Sequence, residues 1–298
     1  MMRQNKLAAE QYGEEPQRAG DRDDPAGGPA AERSHVVVRN LRKTLVAANG
    51  VGREVLGDIS FEVRPGEFVA IVGPSGAGKT TLLRVMSGLL SPDSGEVRCG
   101  AERVRDVPPW LSIVFQDYGK SLFPWMTNKD NVGLALPQLK KKERAVRAAW
   151  ALEVVGMTSV ADHYPWELSG GMQQRVAIAR AICGQLSVLI MDEPFASVDA
   201  LTRTYLEDEV LRLWNEIGFS AVLVTHDVGE AVYMADRVIV LSSRPATIAG
   251  EIPVDLPRPR DHLGTRRDAR FGELYAEVMS LVEAGDPERR ESGSGTPQ

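Results

Sequence analysis

Gly73-Pro74-Ser75-Gly76-Ala77-Gly78-Lys79-Thr80 reads G-x-x-x-x-G-K-[ST] without a departure. Residue types in that order do one kind of chemistry. The glycines let the backbone curl so that successive N–H groups point at phosphate oxygens. The helical run Thr81–Ser87 that follows adds its positive N-terminal end. Lys79 then reaches the β- and γ-phosphates of a nucleoside triphosphate, and the Thr80 hydroxyl ligates Mg²⁺. Thr81 is grouped with these nucleotide-binding residues. A second acidic element, Leu189-Ile190-Met191-Asp192-Glu193, stands with Asp192 113 positions after Lys79. An apolar strand ending in two carboxylates places Asp192 in the Mg²⁺ shell and Glu193 where it polarises a water. A third stretch, Leu168-Ser169-Gly170-Gly171-Met172, starts a helix with a Ser cap, so the Ser169 hydroxyl and the first N–H groups form an anion site.

The elements that must position these residues are legible as short runs. Val36–Val38, Ile59–Val63, Phe68–Val72, Leu186–Met191, Ala221–Thr225 and Arg237–Leu241 have strand character. Helical stretches separate the later runs, which implies an α/β fold with a mainly parallel sheet between helices. Residues from about 117 to 181 differ, with helical periodicity and no strand. Lys141–Val155 places Ala145, Ala149, Leu152 and Val155 on one face, and Gly156 follows as its C-cap. The expected organisation is a disordered tail over 1–34, a globular domain over 35–260 with a helical insertion at about 117–181, and a helical extension with a disordered tail over 261–298. The 298 residues carry 35 Lys+Arg and 41 Asp+Glu, a net charge of −6, which offers no bulk basic footprint for nucleic acid. Cys99 and Cys183 are the only cysteines, which excludes a disulfide framework or a cysteine zinc site. No apolar run approaches the ~18 residues of a membrane span. The polar N-terminus has no signal-peptide pattern, so a cytoplasmic location is expected. His35, His163 and His262 lack metal-ligand spacing and are read as structural or surface residues.

With Leu168-Ser169-Gly170-Gly171-Met172-Gln173-Gln174-Arg175 the chain resembles the ATP-binding-cassette ATPases. The same order of motifs continues through Gln116 in Val-Phe-Gln, Asp199 in Ala-Ser-Val-Asp and His226 in Val-Thr-His-Asp. The resemblance runs from about Val36 to Pro257. It implies a P-loop NTPase fold: a RecA-like core, an antiparallel β subdomain and an inserted helical subdomain. It implies ATP and Mg²⁺ as the bound groups, with Gln116 touching the Mg²⁺ and water cluster and His226 contacting the γ-phosphate beside the catalytic Glu193. It further implies a head-to-tail dimer, in which Ser169, Gly170 and Gly171 of one copy, with Asp199, face the ATP held by the other. Such cassettes usually stack adenine on an aromatic residue upstream of the phosphate loop. Leu45 holds that position here.

One cassette without heptads, zinc spacing or a basic domain resembles the ATPase subunit of a membrane importer. The alternative is a soluble cassette ATPase in nucleic-acid maintenance. By the same resemblance the segment Asp117–Thr127, with Leu122-Phe123-Pro124-Trp125-Met126 expected to be an exposed apolar cluster and followed by Asn131-Val132, corresponds to the family's groove for the permease's coupling helix. That segment, together with Val254-Asp255-Leu256-Pro257-Arg258-Pro259-Arg260-Asp261, resembles the nitrate/sulfonate/taurine branch. The implied partners are integral permease subunits, a second copy of the chain and, indirectly, an external solute-binding protein, with no nucleic acid. The implied location is peripheral, on the cytoplasmic face of the membrane.

Overall fold

The computed structural model describes residues 33–285 apart from positions 48 and 197. Of the tail expected over 1–34, residues 1–32 lie outside the described residues, as do residues 286–298 at the other end. Ser34, counted in the sequence as tail, is buried, and its carbonyl accepts a hydrogen bond from the Ser220 hydroxyl at 2.8 Å, so the folded body includes it.

Two sheets carry the chain. β1 (Val36–Val46) and β2 (Gly52–Val63) form an antiparallel pair. β3 (Phe68–Val72) leads into helix α1 (Lys79–Met86). β4 (Ser94–Cys99) and β5 (Glu102–Arg103) complete a four-stranded sheet in the order β2-β1-β4-β5. β6 (Leu111–Val114) is followed by α2 (Tyr118–Ser121), α3 (Asn128–Gly133), α4 (Lys141–Val154) and α5 (Gly170–Cys183). Then come β7 (Val188–Asp192), α6 (Ala200–Ile217), β8 (Ser220–Val224), α7 (Val228–Met234), β9 (Arg237–Leu241) and β10 (Ile248–Pro253). α8 (His262–Arg267) and α9 (Ala269–Ala284) close the described chain. The second sheet has the order β10-β9-β3-β8-β7-β6, parallel except for β10 at its edge.

β3, β7 and β8 are buried at every position, as apolar runs covered on both faces must be. The period of two in β3 divides its side chains between two cores. Phe68, Ala70 and Val72 face a core completed by α5, α6, α7 and α9. Val69 and Ile71 face a second core shared with α1 and the antiparallel sheet. The strands Val36–Val38 and Ile59–Val63 read from the sequence are parts of longer ones, which also bury Leu41, Val55 and Leu56. β4, β5 and β10 went unread, because their residues are short, charged or half-exposed.

From Gln116 to Gly184 the described residues form helices and loops only. The apolar face of α4 requires a correction. Its buried residues are Ala148, Ala151 and Leu152, continued by Val155, whereas Ala149 is exposed and Ala145 only half-buried. Alanine-rich helices give a weak periodic signal, and the true stripe follows i, i+3, i+4, i+7 from Ala148. Gly156 follows the helix with φ +70°, the left-handed conformation of a C-terminal cap. No helix among the described residues is long and apolar enough to cross a membrane.

Candidate functional site

The loops that follow β3, β8, β7 and β6 leave the same edge of the parallel sheet, and these four strands are consecutive neighbours. Gly73–Thr80 follows β3, His226 follows β8, Glu193 follows β7 and Gln116 follows β6. The carboxyl edge of a parallel sheet is where such folds bind ligands. Registers of Val114 with Met191 and of Asp192 with Val224 bring the last three loops level.

The loop after β3 has the curl expected of a phosphate cradle. Gly78 has φ +97°, and a Cβ there would stand 2.8 Å from Val55 Cγ1, so both backbone and space require glycine. Lys79 is buried, and its ammonium folds back over the loop to donate to the Gly73 carbonyl at 2.8 Å and the Pro74 carbonyl at 3.0 Å. Burial lowers its pKa, while Glu193 and Asp192 pull it upward. A buried cation whose hydrogen-bond partners are two neutral carbonyls suits an incoming polyphosphate. The Thr80 hydroxyl donates to Asp192 Oδ1 at 3.4 Å. Asp192 is buried, and burial raises its pKa above the usual carboxylate value.

Glu193 sits between two of the other predicted residues. Gln116 Nε2 donates to Glu193 Oε2 at 3.2 Å, and His226 Nδ1 lies 3.2 Å from the same oxygen. The Glu193 backbone has φ +44°, uncommon for a residue with a side chain, and its N–H is tied to the Val224 carbonyl at 2.8 Å.

Ser169, Gly170, Gly171 and Asp199 gather elsewhere. They line a cleft with Met172, Arg175, Val198 and Thr202 that includes no residue of the phosphate loop. Ser169 caps α5 by accepting from the Met172 N–H at 3.4 Å, and Asp199 caps α6 by accepting from the Thr202 N–H at 3.1 Å. A Cβ at Gly171 would stand 2.8 Å from Thr202 Cγ2, so the glycine permits α5 and α6 to meet here.

Leu45 is 40% exposed near the end of β1, opposite Arg53, two residues before the Val55 that abuts Gly78. Of the apolar cluster after Gln116, Leu122 belongs to the core, which corrects its reading as exposed. Phe123 and Trp125 are exposed at 41% and 71%, with ring centroids 5.1 Å apart. Buried Asn131 holds their loop: its amide donates to the carbonyls of Phe123, Met126 and Thr127, and its oxygen accepts from the Phe123 N–H at 2.7 Å.

Sequence reasoning missed three features. Arg244 brings its guanidinium within 3.5 Å of where a Cβ on Gly76 would be. Trp166, exposed and stacked on Tyr164 at 5.9 Å, lies just before the Ser169 cap. Glu230 is buried and hydrogen-bonded to Thr225, beside His226. No motif marks the first two, but Glu230 at the third position of a helix capped by Asp227 carries a capping signal.

Residues 56–196 match the domain family described as ABC transporter. The chain is 40% identical over 265 residues to the nitrate import ATP-binding protein NrtD of Synechocystis sp., covering 87% of this chain and 98% of that one. It is 41% identical over 233 residues to the nitrate import ATP-binding protein NrtC of Synechococcus elongatus, covering 76% of this chain but 35% of NrtC. Among solved structures it is similar to the dimeric post-hydrolysis state of the ATP-binding cassette MJ0796 bound to ADP and Pi. The TM-score there is 0.65 and the identity 30%, over 74% of this chain and 98% of that one.

Proposed function

The chain belongs to the ATP-binding-cassette transporter ATPases, and from that premise we propose that it is the ATP-hydrolysing subunit of a membrane importer for nitrate-, sulfonate- or taurine-like solutes. The observation that carries the enzymatic half is the Glu193 carboxylate, held between Gln116 and His226 on loops that follow the three strands next in order to the one bearing the phosphate loop.

Each step falls to a named group. The triphosphate enters the cradle of Gly73–Thr80, and Lys79 exchanges its two carbonyl contacts for phosphate oxygens. The Thr80 hydroxyl, the Asp192 carboxylate and the Gln116 amide oxygen are hard oxygen donors that suit Mg²⁺ and would hold it. When bound, that ion neutralises charge on the β- and γ-phosphates. Glu193 accepts the proton of the attacking water. His226 fixes the Glu193 carboxylate through Nδ1 and turns its exposed ring toward the γ-phosphate. Ser169, Gly170 and Gly171 line a cleft apart from their own phosphate loop, so their anion site serves the ATP of a second copy. A head-to-tail dimer with nucleotide at the interface follows, and the dimeric MJ0796 cassette supports it.

Coupling to transport requires a permease. The exposed Phe123 and Trp125, on a loop that leaves the sheet at Gln116, supply an apolar surface for its cytoplasmic segment. The subunit is then peripheral on the cytoplasmic face of the membrane, and an external solute-binding protein acts through the permease. The nitrate import relatives favour this reading over a nucleic-acid maintenance ATPase. Affinity purification from membranes, with mass spectrometry of what accompanies the chain, tests it. A multi-span permease is expected; recovery of the chain alone, or with nucleic-acid-processing proteins, refutes the transport assignment.

A further inference from the structure

We propose that Glu230 is a positioning residue for hydrolysis: through Thr225 it holds the loop that carries His226, and so sets where His226 meets Glu193. This rests on the roles proposed above for His226 and Glu193.

The geometry is a closed chain of short contacts. The Thr225 hydroxyl donates to Glu230 Oε2 at 2.5 Å and accepts from the Asp227 N–H at 3.0 Å. Asp227 Oδ1 accepts from the Glu230 N–H at 3.0 Å, which closes a ring around the first turn of α7. The Thr225 N–H is anchored to the Ile71 carbonyl of β3 at 3.1 Å. His226 lies between Thr225 and Asp227 and has a mostly exposed side chain. Its place beside Glu193 is therefore set by its neighbours.

Glu230 is a costly choice for a spacer. It is only 4% exposed, and its Oε1 has no hydrogen-bond partner. An ionised carboxylate there would be strongly penalised. Burial pushes its pKa up to about 8, and the negative charges of Glu207 and Asp227 act in the same direction against the Thr225 bond and Arg203. Burial thus favours the neutral form of Glu230, whose Oε2 accepts from Thr225. Glutamine has the same shape and the same acceptor, whereas alanine removes the latch.

The test is ATP hydrolysis by the full-length chain, with ATP binding and thermal unfolding measured on each variant. Glu230→Ala is expected to lower kcat about tenfold or more while KM for ATP moves less than about twofold, since the phosphate cradle is untouched. Glu230→Gln should bring kcat back to within about threefold of wild type. The discriminating protein is the double variant of His226→Ala and Glu230→Ala. If Glu230 acts through His226, the double variant is no slower than His226→Ala alone; multiplied losses would overturn the proposal. Should Glu230→Ala fail to fold, Thr225→Val cuts the same link with little change in volume, and wild-type kcat in that variant overturns the proposal too. Wild-type kcat in His226→Ala refutes the role of His226 itself and with it this inference. A slow His226→Ala beside a normal, folded Glu230→Ala refutes the inference alone.

Discussion

Glu193 has a single oxygen pinned by both Gln116 and His226 and a backbone in a left-handed conformation that few side-chain-bearing residues adopt. A strain of roughly 1–3 kcal/mol is tolerated where the surrounding contacts fix the residue, as the bond from its N–H to Val224 does here. Glu193→Gln keeps those contacts within reach but cannot take a proton from water. Hydrolysis should fall by ~10²–10⁴-fold. ATP binding should persist, because the cradle and Lys79 are unchanged. Single-turnover hydrolysis set beside equilibrium binding checks this, and a wild-type rate removes Glu193 as the base. Leu45 presents a different residue-scale question. It is partly exposed near the end of β1 and close in sequence pairing to the strand that abuts Gly78, so it can lend a base apolar contact but no ring. Stacking on a nucleobase contributes roughly 1–3 kcal/mol, so Leu45→Tyr should tighten ATP binding about fivefold or more. Titration with a fluorescent ATP analogue under non-hydrolysing conditions reads the change; unchanged affinity excludes Leu45 as the base platform.

At the scale of elements, the loop between β6 and α3 is rigid where it meets the protein and apolar where it meets solvent. Leu122 anchors it in the core and Asn131 ties its backbone with four hydrogen bonds, while Phe123 and Trp125 stay outside. Exposed paired aromatics on a fixed loop suit a hot spot, whose truncation costs ~2 kcal/mol or more of binding. Trp125→Ala should therefore weaken capture by the permease about 30-fold and depress solute uptake. The isolated variant should keep its Tm and its ATP affinity. Equal permease pull-down by variant and wild type removes Trp125 from the interface. The same loop marks what the sequence could convey. The phosphate loop and the acidic strand end were legible because their chemistry fixes both residue type and local spacing. The inward turn of Leu122 was not, since five apolar residues in an irregular loop have no period to assign a face. Nor was the meeting of Gln116, Glu193 and His226 derivable from spacing, because it depends on the neighbour order β8-β7-β6, which is set by long-range packing. The face of α4 was misassigned because alanines at 145, 148, 149 and 151 offer nearly equivalent stripes, and only contact with the rest of the insertion selects one.

For the whole molecule, α6, α7 and α8 meet around an acidic centre that ties stability to pH. Glu207 of α6 is buried, with His262 Nε2 at 2.9 Å and Arg266 Nη2 at 3.7 Å on α8. Glu230 of α7, together with Asp208, Asp227 and Arg203, completes the charged surroundings. Burial, the largest influence on both, raises Glu207 to about 7 and Glu230 to about 8 from an ordinary value of 4.5. The folded state therefore keeps two protons that the unfolded chain releases. Below the unfolded value both states are protonated and the two groups contribute no pH slope. As pH rises from there the unfolded chain ionises first, so stability is lost until the folded pKa values are passed, and then levels off. Between its two pKa values each group removes ~1.4 kcal/mol per pH unit. His262 acts in the opposite sense: burial lowers its pKa, so its contribution is lost as pH falls through the unfolded value. The comparison is accordingly made between wild type and the Glu207→Gln, Glu230→Gln double variant, both of which retain His262. Urea unfolding measured between about pH 5 and pH 9.5 should show wild type losing stability relative to the variant as pH rises, and the difference flattening above the Glu230 value of about 8. A constant difference across that range would mean that both carboxylates are ionised in the folded protein, and that the centre is held by charge pairing with Arg266 and His262 instead.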